Sequence, residues 1–182
     1  LPVGFGVSAT TVTAPVATQT ACAAGQSVSC DAAAGADAKF SAACSSFSAI
    51  VSAALWTVAG DANLSDNPVA PGYAGAVALS PALAAPSGGS VGALGVGAVT
   101  LAGGQATVPA QSWSQAGAVR IFGSASYQGQ SINPAGAGQQ TILNPVLGRF
   151  SAHHFVVSPS SGCGAFTYSG QPFSSVTVTA MN

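Results

Sequence analysis

The sequence predicts an all-β fold, an antiparallel β-sandwich followed by the start of a second, similar module. Apolar residues recur with period two, as in Val3, Phe5, Val7 and Ala9, which is the spacing that puts alternate side chains on one face of a strand. Helix signals are scarce, because 23 Gly and 11 Pro punctuate a chain in which Val, Thr and Ser fill the intervals. Turn clusters separate the alternating runs, the pattern of a sandwich built from short strands.

The first strand is the run through Phe5 and Val7, and a long connection carrying Cys22 and Cys30 follows it. Ala32 to Ala43 is rich in Ala, yet Gly35 and the lack of a 3.6-residue apolar stripe argue for a loop or a single turn. Phe40 and Phe47 then lead into a strand through Ile50, and residues 61 to 68 read as a turn. Tyr73, Gly75, Val77 and Leu79 alternate again before the Pro86-Ser87-Gly88-Gly89 turn. Gly103-Gly104 joins Val99-Thr100-Leu101 to Ala106-Thr107-Val108 as a tight hairpin, and Val119, Ile121, Gly123, Ala125 and Tyr127 form one face of a further strand.

A weak internal repeat then restarts the pattern. Phe155 falls over Phe5, and Phe166 and Phe173 fall over Phe40 and Phe47 with the same six-residue gap. The expected organisation is a sandwich over residues 1–135 with a disulfide-stapled loop, a linker over 136–147, and the first strands of an incomplete second module over 148–182. That second copy adds one more strand, Val176 to Ala180, and its apolar strands call for partners from elsewhere.

Composition narrows the function. Apolar residues make up 48% of the 182, enough for a packed core, and the formal charge is −1. The only charges are Lys39, Arg120 and Arg149 against Asp31, Asp37, Asp61 and Asp66. Three scattered cations cannot neutralise a run of phosphates, so no nucleic acid is expected as partner. No apolar run approaches the roughly 20 residues of a membrane-spanning helix, so no membrane span is expected. A surface with so little charge favours association with other protein subunits, as in filaments or cell envelopes, or with further copies of itself.

Cys22, Cys30, Cys44 and Cys163 are even in number and lack CxxC spacing, which favours structural disulfides over zinc and hence an exported protein. Of three connectivities, Cys22–Cys30 with Cys44–Cys163 is preferred; closing the shorter loop contributes about 2 to 3 kcal/mol in the chain-entropy model.

Catalytic residues, cofactors and metals are not predicted. His153 and His154 are the only imidazoles, and neighbours on a strand point to opposite faces, so they cannot share a site without local distortion. Gly88 to Gly97 precedes no helix and holds no Lys for a phosphate, so neither a nucleophile elbow nor a phosphate loop is read there. Asp61, Asn63, Asp66 and Asn67 could offer oxygens to calcium, but a loop of Asx turns is the preferred reading. Trp56, Tyr73, Trp113 and Tyr127 could stack on a surface glycan, although aromatics on alternating strands more often fill a core.

Several segments in order resemble the large conserved region of MSHA pilus biogenesis protein Q and its relatives in Gram-negative bacteria. They are Asp61 to Asn67, Tyr73-Ala74-Gly75 leading to Leu79-Ser80, Pro86 to Gly89, Ser112 to Gly117, Gly148-Arg149-Phe150 with His154-Phe155, and Cys163 to Tyr168. Ala152 stands where that pattern usually carries a proline, at a turn. The resemblance implies tandem immunoglobulin-like modules of an exported, pilus-associated surface protein that assists assembly or adhesion, with no enzymatic activity. The alternatives are a self-assembling filament subunit joined by β-strand donation and a carbohydrate-binding module.

Overall fold

A computed structural model describes residues 2–9, 12–13, 18–19, 40–58, 67–132 and 146–182. These form thirteen strands and no helix. In chain order they are β1 (Pro2–Ala9), β2 (Val12–Thr13), β3 (Thr18–Gln19), β4 (Ser41–Ala42), β5 (Phe47–Leu55), β6 (Gly75–Ala85) and β7 (Ala98–Leu101). They continue as β8 (Gln105–Gln111), β9 (Gly117–Tyr127), β10 (Gln130–Ile132), β11 (Leu147–Ser151), β12 (His154–Ser160) and β13 (Ser175–Met181). The fold is all-β, and every ladder is antiparallel except the short one between β4 and β11.

Two sheets share one core. The smaller runs β1-β5-β8; the larger runs β4-β11-β9-β6-β7, with β10 on β9. Phe5 and Val7 of β1, with Ala49, Val51 and Ala53 of β5, meet Val77 of β6, Leu101 of β7, Val119 and Ile121 of β9, and Leu147 of β11. Each set obeys the alternation read from the sequence, because an antiparallel strand with one buried face must bury every second residue. One end of the core is aromatic: Phe150 lies with ring centroids 5.2 Å from Phe40, 5.6 Å from Phe47 and 5.2 Å from Trp113.

Prolines sit where a missing N–H is tolerated. Pro109 lies on β8, at the edge of its sheet, where the ladder with β5 shifts register between Phe47 and Ala49. Pro81 lies past the end of β7, where β6 pairs only with β9.

The Gly103-Gly104 turn departs from the expected hairpin. The two glycines do form a tight turn at positive φ, closed by an Ala102–Gln105 bridge. The strands it connects do not stay together: β7 continues in the larger sheet and β8 in the smaller. Gly104 has a physical reason to be glycine, since a Cβ there would run into the Ala70 carbonyl. Its own N–H donates to the Tyr73 carbonyl at 2.8 Å, and its carbonyl accepts from the Ala53 N–H at 2.8 Å. The turn is therefore tied to both layers, and the chain changes sheet within it.

Residues 148–151, placed at the start of the second module by sequence, belong to β11 and lie between β4 and β9 in the larger sheet. Phe40 N–H donates to the Arg149 carbonyl and Ala43 N–H to the Ser151 carbonyl, at 2.7 and 2.8 Å, which extends the β4 pairing at both ends.

Candidate functional site

β12 and β13 form a two-stranded sheet of their own, in unbroken antiparallel register from His154↔Met181 to Ser160↔Ser175. Residues opposite one another share a face, so one side carries Phe155, Val157 and Pro159 with Ala180, Val178 and Val176. The other side carries His154, Val156, Ser158 and Ser160 with Met181, Thr179, Thr177 and Ser175. One face is thus wholly apolar and the other largely polar.

This hairpin repeats the pairing of β1 with β5. There Phe5 opposes Ala53 and Val7 opposes Val51; here Phe155 opposes Ala180 and Val157 opposes Val178. Burial separates the two copies. Phe5 and Val51 are 0% exposed, covered by the larger sheet, whereas Phe155 is 66% and Val178 60% exposed. A two-stranded hairpin is at best marginally stable alone in water. Among the described residues, no sheet covers the apolar face of β12–β13.

The far end of the hairpin is held by local hydrogen bonds. Cys163 and Phe166 exchange N–H···O bonds at 3.0 and 3.2 Å, the Gly162 N–H donates to Thr167 Oγ1 at 2.9 Å, and the Ser174 hydroxyl donates to the Ser161 carbonyl at 2.8 Å. Phe166 and Tyr168 meet edge to face at 5.1 Å, both exposed. In the sequence Phe166 has a place in the repeat and Tyr168 in the Cys163 to Tyr168 motif, and neither stands out there as a contact candidate.

The predicted site residues are scattered. Cys44 and Cys163 are free and exposed thiols, so the expected bridge between them is not formed; Cys22 and Cys30 lie outside the described residues. Cys44 occupies a left-handed turn, φ 63°, at the end of β4, its N–H donating to the Trp113 carbonyl at 2.8 Å. Cys163 lies instead in the β12–β13 connection.

Of the calcium candidates, Asp61, Asn63 and Asp66 lie outside the described residues. Asn67 closes its own loop, Nδ2 donating to the Leu55 carbonyl at 2.9 Å and Oδ1 accepting from the Thr57 hydroxyl at 3.5 Å. Among the described residues, no group of three or more His, Cys, Asp or Glu comes together.

Of the stacking candidates, Tyr73 and Trp113 are core residues, and the Trp113 indole N–H donates to the Val91 carbonyl at 2.7 Å. Burial removes both from contact with a glycan. Trp56 is 54% exposed, and the side chain of Tyr127 lies outside the description.

His153 and His154 come together. His153 stands at a bend just before β12, with its N–H donating to the Met181 carbonyl at 2.7 Å, and the bend breaks the strand rule that would send the rings apart. Their Nδ1 atoms are 3.1 Å apart, and both rings are exposed.

Among the described residues, no helix is long and apolar enough to cross a membrane. A family model described as DUF6701, second domain, matches residues 1–115, and another described as DUF6701, third domain, matches residues 115–182. Neither a curated protein nor a solved structure matches the chain. The meeting point of the two models falls between β8 and β9, so the third-domain match supplies β9, β10 and β11 to the sandwich begun by the second-domain match.

Proposed function

The chain belongs to the DUF6701 family, and on that premise we propose that it is an extracellular structural or adhesive module of a pilus-associated or cell-surface protein. The observation that carries this reading is the uncovered face of β12–β13. Its pairs match those of β1–β5, so the occupant that suits it is a β-sheet presenting alternate apolar residues, as β6 and β9 present Val77, Val119 and Ile121 to Phe5 and Val51. A neighbouring module of a surface assembly is the partner of that chemistry. The very low charge supports the same reading, because surfaces that associate in an envelope or filament need little repulsion from their neighbours. The motifs resembling the pilus biogenesis protein support the pilus setting.

Hydrogen exchange and surface labelling test the proposal together. Residues 154–181 should exchange rapidly in the isolated chain and slowly in the assembled surface protein, and a membrane-impermeant label should reach the protein on intact cells. Equal exchange in both states would remove the docking role, and absence of labelling would remove the surface location.

A second reading, a filament subunit joined by strand donation, is favoured by the outer edge of β13. Residues 175–181 contain no charge and no proline, the two devices that most often keep an edge strand from pairing with another chain. It predicts oligomers that grow with concentration in sedimentation and disappear when Thr177 is replaced by Lys. Monomers at every concentration would dispose of it.

A further inference from the structure

We infer that His153 and His154 form a two-nitrogen site for a divalent transition-metal cation, Cu2+ foremost. Two neutral imidazole nitrogens aim lone pairs at a common point when both act as ligands, and the structure brings the two Nδ1 atoms to 3.1 Å. With metal–nitrogen bonds of about 2.05 Å, that separation corresponds to an N–metal–N angle of about 98°. A square-planar cis pair would need about 2.9 Å and a tetrahedral pair about 3.3 Å at the same bond length, so the observed spacing serves either geometry with a small adjustment.

The arrangement is held from below. The His153 N–H is fixed to the Met181 carbonyl at 2.7 Å, and His154 is the first residue of the β12 ladder, opposite Met181. The bend and the strand therefore set both Cα positions, and the rings stand perpendicular at 86°. In the metal-free protein this approach is a hydrogen bond in which one Nδ1 carries the proton; a cation would take the place of that proton, with both imidazoles neutral and protonated on Nε2.

Residues 150–182 contain no Lys, Arg, Asp or Glu, and Arg149 is the nearest charged residue in sequence. Imidazole suits Cu, Ni and Zn, and among divalent first-row metals an imidazole site takes Cu2+ most tightly. Two protein ligands leave the other coordination positions to water, so the site would bind at the surface and exchange its metal.

The chain offers an unusually clean readout, because these are its only two histidines. The experiment is a Cu2+ titration of the alkylated protein, with its thiols blocked, followed by pulsed electron paramagnetic resonance of the imidazole nitrogens. The expected result is one Cu2+ per chain, with combination lines from two equatorial imidazoles. His153→Ala and His154→Ala should each abolish those lines and weaken binding at least about 10-fold. Both variants keep the backbone N–H groups of the hairpin, and unchanged circular dichroism would show that the fold persists. A spectrum with one imidazole or none, or variants that bind as tightly as the parent, would overturn the assignment.

Discussion

Phe5 and Phe155 occupy matching positions in two hairpins, and replacing each by Ala separates the contribution of the covering sheet from that of the ladder. Phe5 is fully buried, with its ring 5.3 Å from that of Tyr73 in an edge-to-face contact. It also lies over Gly123, where an added Cβ would come within 2.7 Å of the Phe5 Cβ, so no side chain on that side can move in to fill the space. Phe-to-Ala changes in cores cost about 3 to 5 kcal/mol, and a site that cannot collapse belongs to the upper half of that span, about 4 to 5 kcal/mol. Phe155 is 66% exposed, which leaves about one third of a burial worth roughly 1.5 to 3 kcal/mol, or about 0.5 to 1 kcal/mol. Urea unfolding followed through the fluorescence of buried Trp113 would read the sandwich. With a slope of about 2 kcal/mol per molar, Phe5→Ala should lower the midpoint by roughly 2 M, and an outright unfolded variant has the same meaning. Exchange of the hairpin amides would read Phe155→Ala. Equal destabilisation by the two changes would refute the reasoning, since it would mean that Phe155 is as well covered in solution as Phe5.

Other substitutions test the core more locally. Gly123→Ala should cost about 1 to 3 kcal/mol in thermal unfolding through overpacking against the Phe5 Cβ and Val77, and a neutral effect would contradict that close approach. Gln111 is buried and acts as a short piece of strand, Oε1 accepting from the Val96 and Ser112 N–H groups at 3.0 and 2.9 Å and Nε2 donating to the Val96 carbonyl at 2.9 Å. Gln111→Ala should therefore lower stability by about 1 to 3 kcal/mol, and calorimetry showing no change would remove that role. Cys44 and Cys163 should both react with a maleimide in the native protein, and peptide mapping that found them joined would contradict their exposure as free thiols.

Period-two patterning carried most of the strands. Phe5 and Val7, Val77 and Leu79, and Val119 and Ile121 all face the core as their spacing implies, because the pleat of a strand is a local property. Sheet membership is not local, and that is where reading the sequence stopped short. Val99 to Leu101 and Ala106 to Val108 look like arms of one hairpin, yet the ties of Gly104 to Tyr73 and Ala53 send them to opposite layers. Gly148 to Phe150 reads as the beginning of something new, whereas Phe150 completes an aromatic cluster with Phe40, Phe47 and Trp113 from far earlier in the chain. The hairpin face is legible as apolar alternation, and the break in the repeat already leaves its strands in want of partners; Phe5 and Phe155 differ in what lies above them. Strand alternation separates the two histidines unless the backbone is locally distorted, and the bend at His153 is a single-residue feature that alternation does not register.

The junction between β11 and β12 has a consequence for how the protein carries tension. Only Ala152 and His153 separate the two strands, so a pull on the hairpin arrives at Ser151 with almost no slack to absorb it. β11 is an inner strand, gripped by β4 on one flank and β9 on the other. A load along its axis must slide it past both neighbours at once, breaking the rungs together, whereas an edge strand would unzip rung by rung. Whatever anchors to β12–β13 is thereby fastened to the middle of the larger sheet.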